Sequence, residues 1–195
     1  MKKIHKFDQV FDSQRLYRIL LEAYSNPGRR LSVREFGKKM YGDEPELLAL
    51  GMTLLDNEVG FCACENETLS QQLLSLTFSR QEGVETADYV FVTDVSALPS
   101  VMEQVKCGTL QDPQKSATLF IRTESGEDEK NLVTLLLHGP GIRDTLSVTL
   151  PKTVEQALAL REAQCYEYPQ GIDLVFITKE GELFALPRLV KKEVL

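Results

Sequence analysis

The chain has 195 residues, 43% of them hydrophobic and 26% charged, with a formal net charge of −7. That length suits a single domain over residues 1–195 and that apolar content a substantial core, while the acidic balance argues against bulk binding to nucleic acid or anionic lipid, which needs clustered Lys and Arg. No apolar run approaches the ~20 residues of a membrane span, and the basic start Met1-Lys2-Lys3-Ile4-His5-Lys6 meets Asp8 and Asp12 without an apolar signal core, so a cytosolic protein is expected.

Residues 8–25 read as a helix, with Phe11, Tyr17, Leu20, Leu21 and Tyr24 at helical spacing and Asp12 or Ser13 as its cap. Asn26-Pro27-Gly28 ends it, because Pro27 cannot continue a helix and Gly28 permits a reversal. Gln14 and Arg18 lie beside the apolar stripe. Arg18 either snorkels to water or meets a carboxylate at an interface. Leu31, Val33 and Phe36 suggest a short extended piece. Glu44-Pro45 opens a second helix, with Pro45 tolerated in the first turn and Gly51 weakening it. Asp56-Asn57-Glu58 follows, a turn that could hold a metal or be an ordinary surface turn. Val59–Cys64 reads as a strand, 67–76 as a helix, Ala87–Thr93 as a buried strand and Ser96–Val105 as a short helix capped by Ser96.

Ala117–Thr123 and Leu132–His138 read as strands across an acidic turn, Ser125–Lys130. Both are almost continuously apolar, as expected of strands covered on two faces. Gly139-Pro140-Gly141 links to a third strand, Thr145–Leu150. It lacks the third glycine opening a helix that a dinucleotide fingerprint needs, and the Gly-Lys-Ser/Thr of a phosphate loop, so it reads as a turn. Thr153-Val154-Glu155-Gln156 is a capping-box pattern opening a helix to about Gln164. The alternation of helices and buried strands implies one α/β domain with a mixed sheet, its C-terminal hairpins antiparallel and its earlier crossovers allowing parallel pairs.

The four cysteines are Cys62, Cys64, Cys107 and Cys165. Metal and redox sites favour Cys-x-x-Cys. On a strand, Cys62 and Cys64 share a face and act as small buried hydrophobes. With only His5 and His138 present, a histidine-rich centre is not expected, and neither sits in a recognisable triad context.

The C-terminal hairpin is the most suggestive stretch. It runs Tyr168-Pro169-Gln170-Gly171-Ile172-Asp173, then an apolar strand, a charged turn at Lys179–Glu182 and Leu183–Arg188. With Glu180-Gly181 as a two-residue turn, Ile177 opposes Phe184, Val175 opposes Leu186 and Asp173 opposes Arg188. A three-residue loop with a bulge at Gly181 shifts this register by one and separates the acid from the arginine. The first register predicts Asp173 and Arg188 within salt-bridge reach, either as a plain ion pair or as part of a ligand site.

Several stretches together are similar to a known family. Asp12-Ser13-Gln14, Tyr17-Arg18 and Ala23-Tyr24-Ser25-Asn26-Pro27-Gly28, then Leu54-Leu55-Asp56-Asn57-Glu58, Gly108-Thr109, Ala117-Thr118-Leu119, Gly139-Pro140-Gly141-Ile142, Tyr168-Pro169-Gln170-Gly171-Ile172-Asp173 and Leu186-Pro187-Arg188 resemble the H subunit of the bacterial carbon–phosphorus lyase system, the PhnH family. Tyr17 stands where a Phe is expected and Gln170 where a Leu is expected. The resemblance implies a reduced pyridoxal-phosphate transferase fold, a three-layer α/β/α domain without a cofactor. It also implies a homodimer when isolated and a complex with the G, I and J subunits. That complex would act in forming α-D-ribose 1-methylphosphonate 5-triphosphate from MgATP and methylphosphonate with release of adenine. No cofactor is expected on this chain, since a pyridoxal enzyme needs a Schiff-base lysine and a phosphate cup and Lys179 falls on the hairpin turn. The candidate ligand or interface residues are Arg18, Asp56, Asp173 and Arg188. A stand-alone transferase binding a phosphate-containing ligand, or a scaffold without catalytic role, is the alternative.

Overall fold

A computed structural model describes residues 5–123 and 131–194. The expected acidic turn at 125–130 lies outside these residues. The helices are α1 (Phe11–Ser25), α2 (Arg34–Gly37), α3 (Pro45–Leu54), α4 (Glu67–Thr77), α5 (Leu98–Gln104) and α6 (Lys152–Ala163). The strands are β1 (Leu31–Ser32), β2 (Gly60–Cys64), β3 (Arg80–Gln81), β4 (Tyr89–Val92), β5 (Thr118–Thr123), β6 (Leu132–His138), β7 (Leu146–Pro151), β8 (Asp173–Thr178), β9 (Glu182–Leu186) and β10 (Lys191–Val194).

Seven strands form one mixed sheet in the order β1-β9-β8-β5-β4-β2-β3, and three form a smaller antiparallel sheet, β10-β6-β7. Strands β3, β2, β4, β5 and β8 run parallel, while β9 runs antiparallel to both its neighbours. The expected mixed α/β sheet is therefore present. Both outer strands of the large sheet are two residues long.

Alternation along the strands separates two cores. Phe61, Phe91, Phe120, Val175 and Ile177 face α1, α3 and α4. Val90, Leu119, Ile121, Leu174 and Phe176 face α5, α6 and the smaller sheet. Because both faces are covered, the central strands read as unbroken apolar runs. Phe91 stacks on Phe120 and Phe176 on Phe184, with centroids 5.3 and 5.2 Å apart. Each buried phenylalanine contributes about 1.5–3 kcal/mol.

Several local expectations change. The inward residues of α1 are Leu16, Leu20 and Ala23, while Phe11, Tyr17 and Leu21 face outward. Its amino end is held by the Asp8 carboxylate, which accepts from the Val10 and Phe11 amides; Asp12 is instead buried within the helix and takes Lys39. Asp94, not Ser96, caps the 3-10 turn Val95–Ala97 that leads into α5. Helix α6 starts at Lys152 without a side-chain cap, so the Thr153 capping box does not form. Strands β5 and β6 belong to different sheets, and β6 buries Leu135 and Leu137 from one face only. Gly51 is required by packing, since a Cβ there would overlap Leu73 of α4.

The two proline–glycine turns meet. Gly28 (φ +78°) donates to the Ala185 carbonyl at 3.1 Å, and a Cβ on Gly141 (φ +84°) would come within 2.9 Å of Pro27. The end of α1 is thus tied both to β9 and to the small sheet.

Candidate functional site

The observed hairpin register pairs Leu174 with Leu186, Phe176 with Phe184 and Ile177 with Leu183. This is the shifted register, one residue from the two-residue-turn reading. Gly181 (φ +76°) accommodates the longer turn, its amide donating to the Thr178 carbonyl. Asp173 and Arg188 meet nevertheless, because Arg188 lies beyond the end of β9. Its backbone amide donates to Asp173 Oδ1 at 2.8 Å, Nε to Oδ1 at 3.3 Å and Nη2 to Oδ2 at 2.6 Å, while Nη1 donates to the Pro113 carbonyl. The side chains are 19% and 14% exposed for Arg188 and Asp173.

The surrounding motif has a physical meaning. A Cβ on Gly171 would approach the Arg188 Cβ to 2.9 Å, so only glycine lets the arginine stem pass. Gln170 Nε2 donates to the Gly108 carbonyl at 3.0 Å, and the Gly171 amide to that of Cys107. Arg161, buried in α6, donates to the carbonyls of Ile172, Leu186, Pro187 and Val190. It fixes the segments carrying Asp173 and Arg188. Burial pulls its pKa down to about 10, which leaves it charged at neutral pH.

The pair closes a cleft of roughly 490 Å³ at the amino ends of β4, β5 and β8. Helix α1 contributes Tyr17, Leu21 and Tyr24, and the strands contribute Tyr89 and Thr118. Burial, then the charge of Asp173, pushes the Tyr24 hydroxyl well above its ordinary value. Burial first, then Asp88, Tyr17 and Asp56, raises that of Tyr89. Both hydroxyls therefore stay protonated and do not serve as bases at neutral pH. Ser116 Oγ, which also lines the cleft, is buried without a partner among the described residues. The cleft offers hydroxyls and apolar rings around an already neutralised ion pair.

Of the four sequence candidates, only Asp173 and Arg188 come together. Asp56 lies between Leu54 and Val59, which both line the cleft, but it is exposed and accepts the Glu58 amide at 2.8 Å, an ordinary turn. Arg18 is exposed on the outer face of α1 and makes no ion pair among the described residues. No group of three or more His, Cys, Asp or Glu side chains able to hold a metal exists among the described residues.

A second cleft, of roughly 630 Å³, lies at the carboxyl ends of β4 and β5. Open α/β sheets bind ligands beyond the carboxyl ends of their strands, where successive crossovers diverge; here that divergence falls between β2 and β4, with α4 and α5 packed on opposite faces, beside this cleft and not in it. The cleft is braced by its own charges. Arg122 Nε donates to Glu44 Oε2 at 2.7 Å, Nη2 to both Glu44 and Glu46, and Nη1 to the Thr178 carbonyl. Neither Arg122 nor Arg161 is among the candidates singled out by the sequence. An arginine inside the apolar run Leu119-Phe120-Ile121-Arg122 was a usable signal for the first, since such a charge needs a buried partner.

Fold and cleft together define a mixed-sheet α/β protein with an arginine–carboxylate pair fixed at the amino ends of its central strands. The chain belongs to the family described as bacterial phosphonate metabolism protein (PhnH), whose model matches residues 5–193. It is 29% identical, over 192 residues, to the alpha-D-ribose 1-methylphosphonate 5-triphosphate synthase subunit PhnH of Rhizobium meliloti (strain 1021), covering 95% of this chain and 92% of that protein.

Proposed function

We propose that this chain is a subunit of the carbon–phosphorus lyase system and acts in forming α-D-ribose 1-methylphosphonate 5-triphosphate from MgATP and methylphosphonate. It works as one folded unit within an assembly of G, I and J subunits in the cytoplasm, and contributes by docking and by completing a shared site. The observation that carries this reading is the outer face of α1. Val10 and Phe11 are each 70% exposed, Tyr17 48% and Leu21 49%, and Tyr17 and Leu21 continue into the cleft beside Asp173 and Arg188. An apolar face of this kind next to a polar cleft fits an interface better than a free surface. The same face serves self-association into a homodimer when the partners are absent. The name of the Rhizobium relative supports the subunit role.

The architecture is further read as a reduced pyridoxal-phosphate transferase domain, three layers with no cofactor bound by this chain. A largely parallel sheet covered by α1, α3 and α4 on one face and by α5 and α6 with the small sheet on the other supports the layering, and the exposed position of Lys179 on the hairpin turn is unlike that of a buried Schiff-base lysine. MgATP is then a substrate of the complex. A ligand shared with a partner is favoured by one specific feature, the unpartnered Ser116 Oγ in the cleft.

The test is co-purification with the G, I and J subunits. Phe11→Glu and Tyr17→Glu are expected to leave the circular-dichroism spectrum and Tm unchanged while reducing capture of the partners at least tenfold. Unchanged capture would remove α1 from the interface. Turnover of MgATP and methylphosphonate by the isolated chain would refute the dependent-subunit reading.

A further inference from the structure

Cys62 and Cys64 play no part in the cleft or in the α1 face. They lie two apart on β2, so their side chains leave the sheet on the same side, the side covered by α5. Their sulfurs are 3.9 Å apart and both are free thiols. Cys64 is buried and Cys62 only half-buried, so the pair is reached from the Cys62 side. Cys64 sits at the carboxyl end of β2, where the left-handed Glu65 (φ 53°) turns the chain toward the Asn66 cap of α4. The backbone holding the two sulfurs is thereby fixed between a paired strand and a capped helix.

We propose that Cys62 and Cys64 form a dithiol site for a soft, thiophilic centre that takes both sulfurs as thiolates and completes its valence from solution. Thiolate bonds of about 2.3 Å would span the observed separation with an angle of roughly 115° at the bound centre, within the range of three- and four-coordinate geometry. Soft sulfur donors select this class of centre over magnesium or calcium. The acids Glu85 near Cys62 and Glu65 near Cys64 make the local field negative, which suits a cationic occupant.

Phenylarsine oxide is the probe. It condenses with two thiols, forming two arsenic–sulfur bonds and releasing one water that carries off both thiol protons, with arsenic staying trivalent. An equimolar amount added to the folded full chain is expected to give one phenylarsenic adduct by intact mass. That adduct should resist excess 2-mercaptoethanol, be stripped by 2,3-dimercaptopropanol, and raise the Tm by linkage. Cys62→Ser and Cys64→Ala should each lose the monothiol-resistant adduct, whereas Cys107→Ser and Cys165→Ser should keep it. Peptide mapping of the unsubstituted protein, which needs no variant to fold, should place the adduct on the peptide carrying both residues. An adduct that persists in Cys62→Ser, that maps elsewhere, or that forms only after denaturation would overturn the proposal and leave the two thiols as packing groups.

Discussion

Arg161 brings its charge into the interior to meet backbone carbonyls and not a carboxylate. Four carbonyls from two stretches, Ile172 and the run from Leu186 to Val190, converge on its guanidinium, so the residue acts as a knot tying α6 to the end of the chain. Arg161→Met removes the donors while keeping much of the volume. It is expected to lower stability by roughly 3–5 kcal/mol, each carbonyl left without a donor costing about 1–3 kcal/mol before relaxation. Urea denaturation with an unchanged m-value would check this. Asp12 gives a pH-dependent counterpart. Burial pushes its carboxyl up, but the Lys39 hydrogen bond, the Asp8 amide and the charges of Lys39 and Arg15 outweigh burial and hold it below its ordinary 3.8. A depressed carboxylate stabilises the fold fully above the unfolded value, and that contribution is lost as pH falls through the folded value. Asp12→Asn should therefore flatten the fall in stability below about pH 4 and lower stability near neutrality, as read from urea midpoints between pH 2 and 7. Neither role stood out in the sequence. Arg161 shares a helix with many solvated charges, and Asp12 resembled a cap because caps and buried first-turn acids use the same residue type.

At the level of elements, helix and strand types were readable wherever apolar runs were long, while registers and caps were not. The hairpin shows why. Apolar residues on both faces of β8 and β9 remove the alternation that would fix register, leaving only the turn to decide it. The glycine supported either loop length. The Asp173–Arg188 contact was anticipated from a register the hairpin does not adopt, and it exists because the chain after Leu186 is irregular enough to bring Arg188 back. The outward face of α1 misled in the same way. Phe11, Tyr17 and Leu21 kept helical spacing, so periodicity could not tell a core stripe from an exposed one. Gly51 separates propensity from packing in one residue. Alanine would gain about 1 kcal/mol in helix propensity, yet its Cβ would overlap the fully buried Leu73. Overpacking costs about 1–3 kcal/mol, so Gly51→Ala should be destabilising on balance, with the shift read from the thermal midpoint.

For the whole molecule, the mixed α/β class followed from the order of elements, but the division into two sheets did not. Strands β5 and β6 are neighbours in sequence and equally apolar, and only tertiary structure sends one to the centre of the large sheet and the other to the small one. That division predicts a gradient of stability. Amides of β5 and β8, paired on both sides and buried on both faces, should exchange with solvent only on global unfolding. Those of β7, largely exposed at one margin of the small sheet, should exchange through local opening at least a hundredfold faster. Hydrogen exchange followed by mass spectrometry would resolve the two classes.

The two-residue length of β1 and β3 bears on how this protein can join others. A sheet that ended on a long bare strand would offer a row of amides and carbonyls for another chain to extend, whether a productive partner or an aggregating copy. Here each margin of the large sheet is too brief to template a ladder. Association through this sheet is thereby denied to backbone pairing and left to side chains, whose shapes and charges discriminate between partners where a hydrogen-bonding ribbon would not.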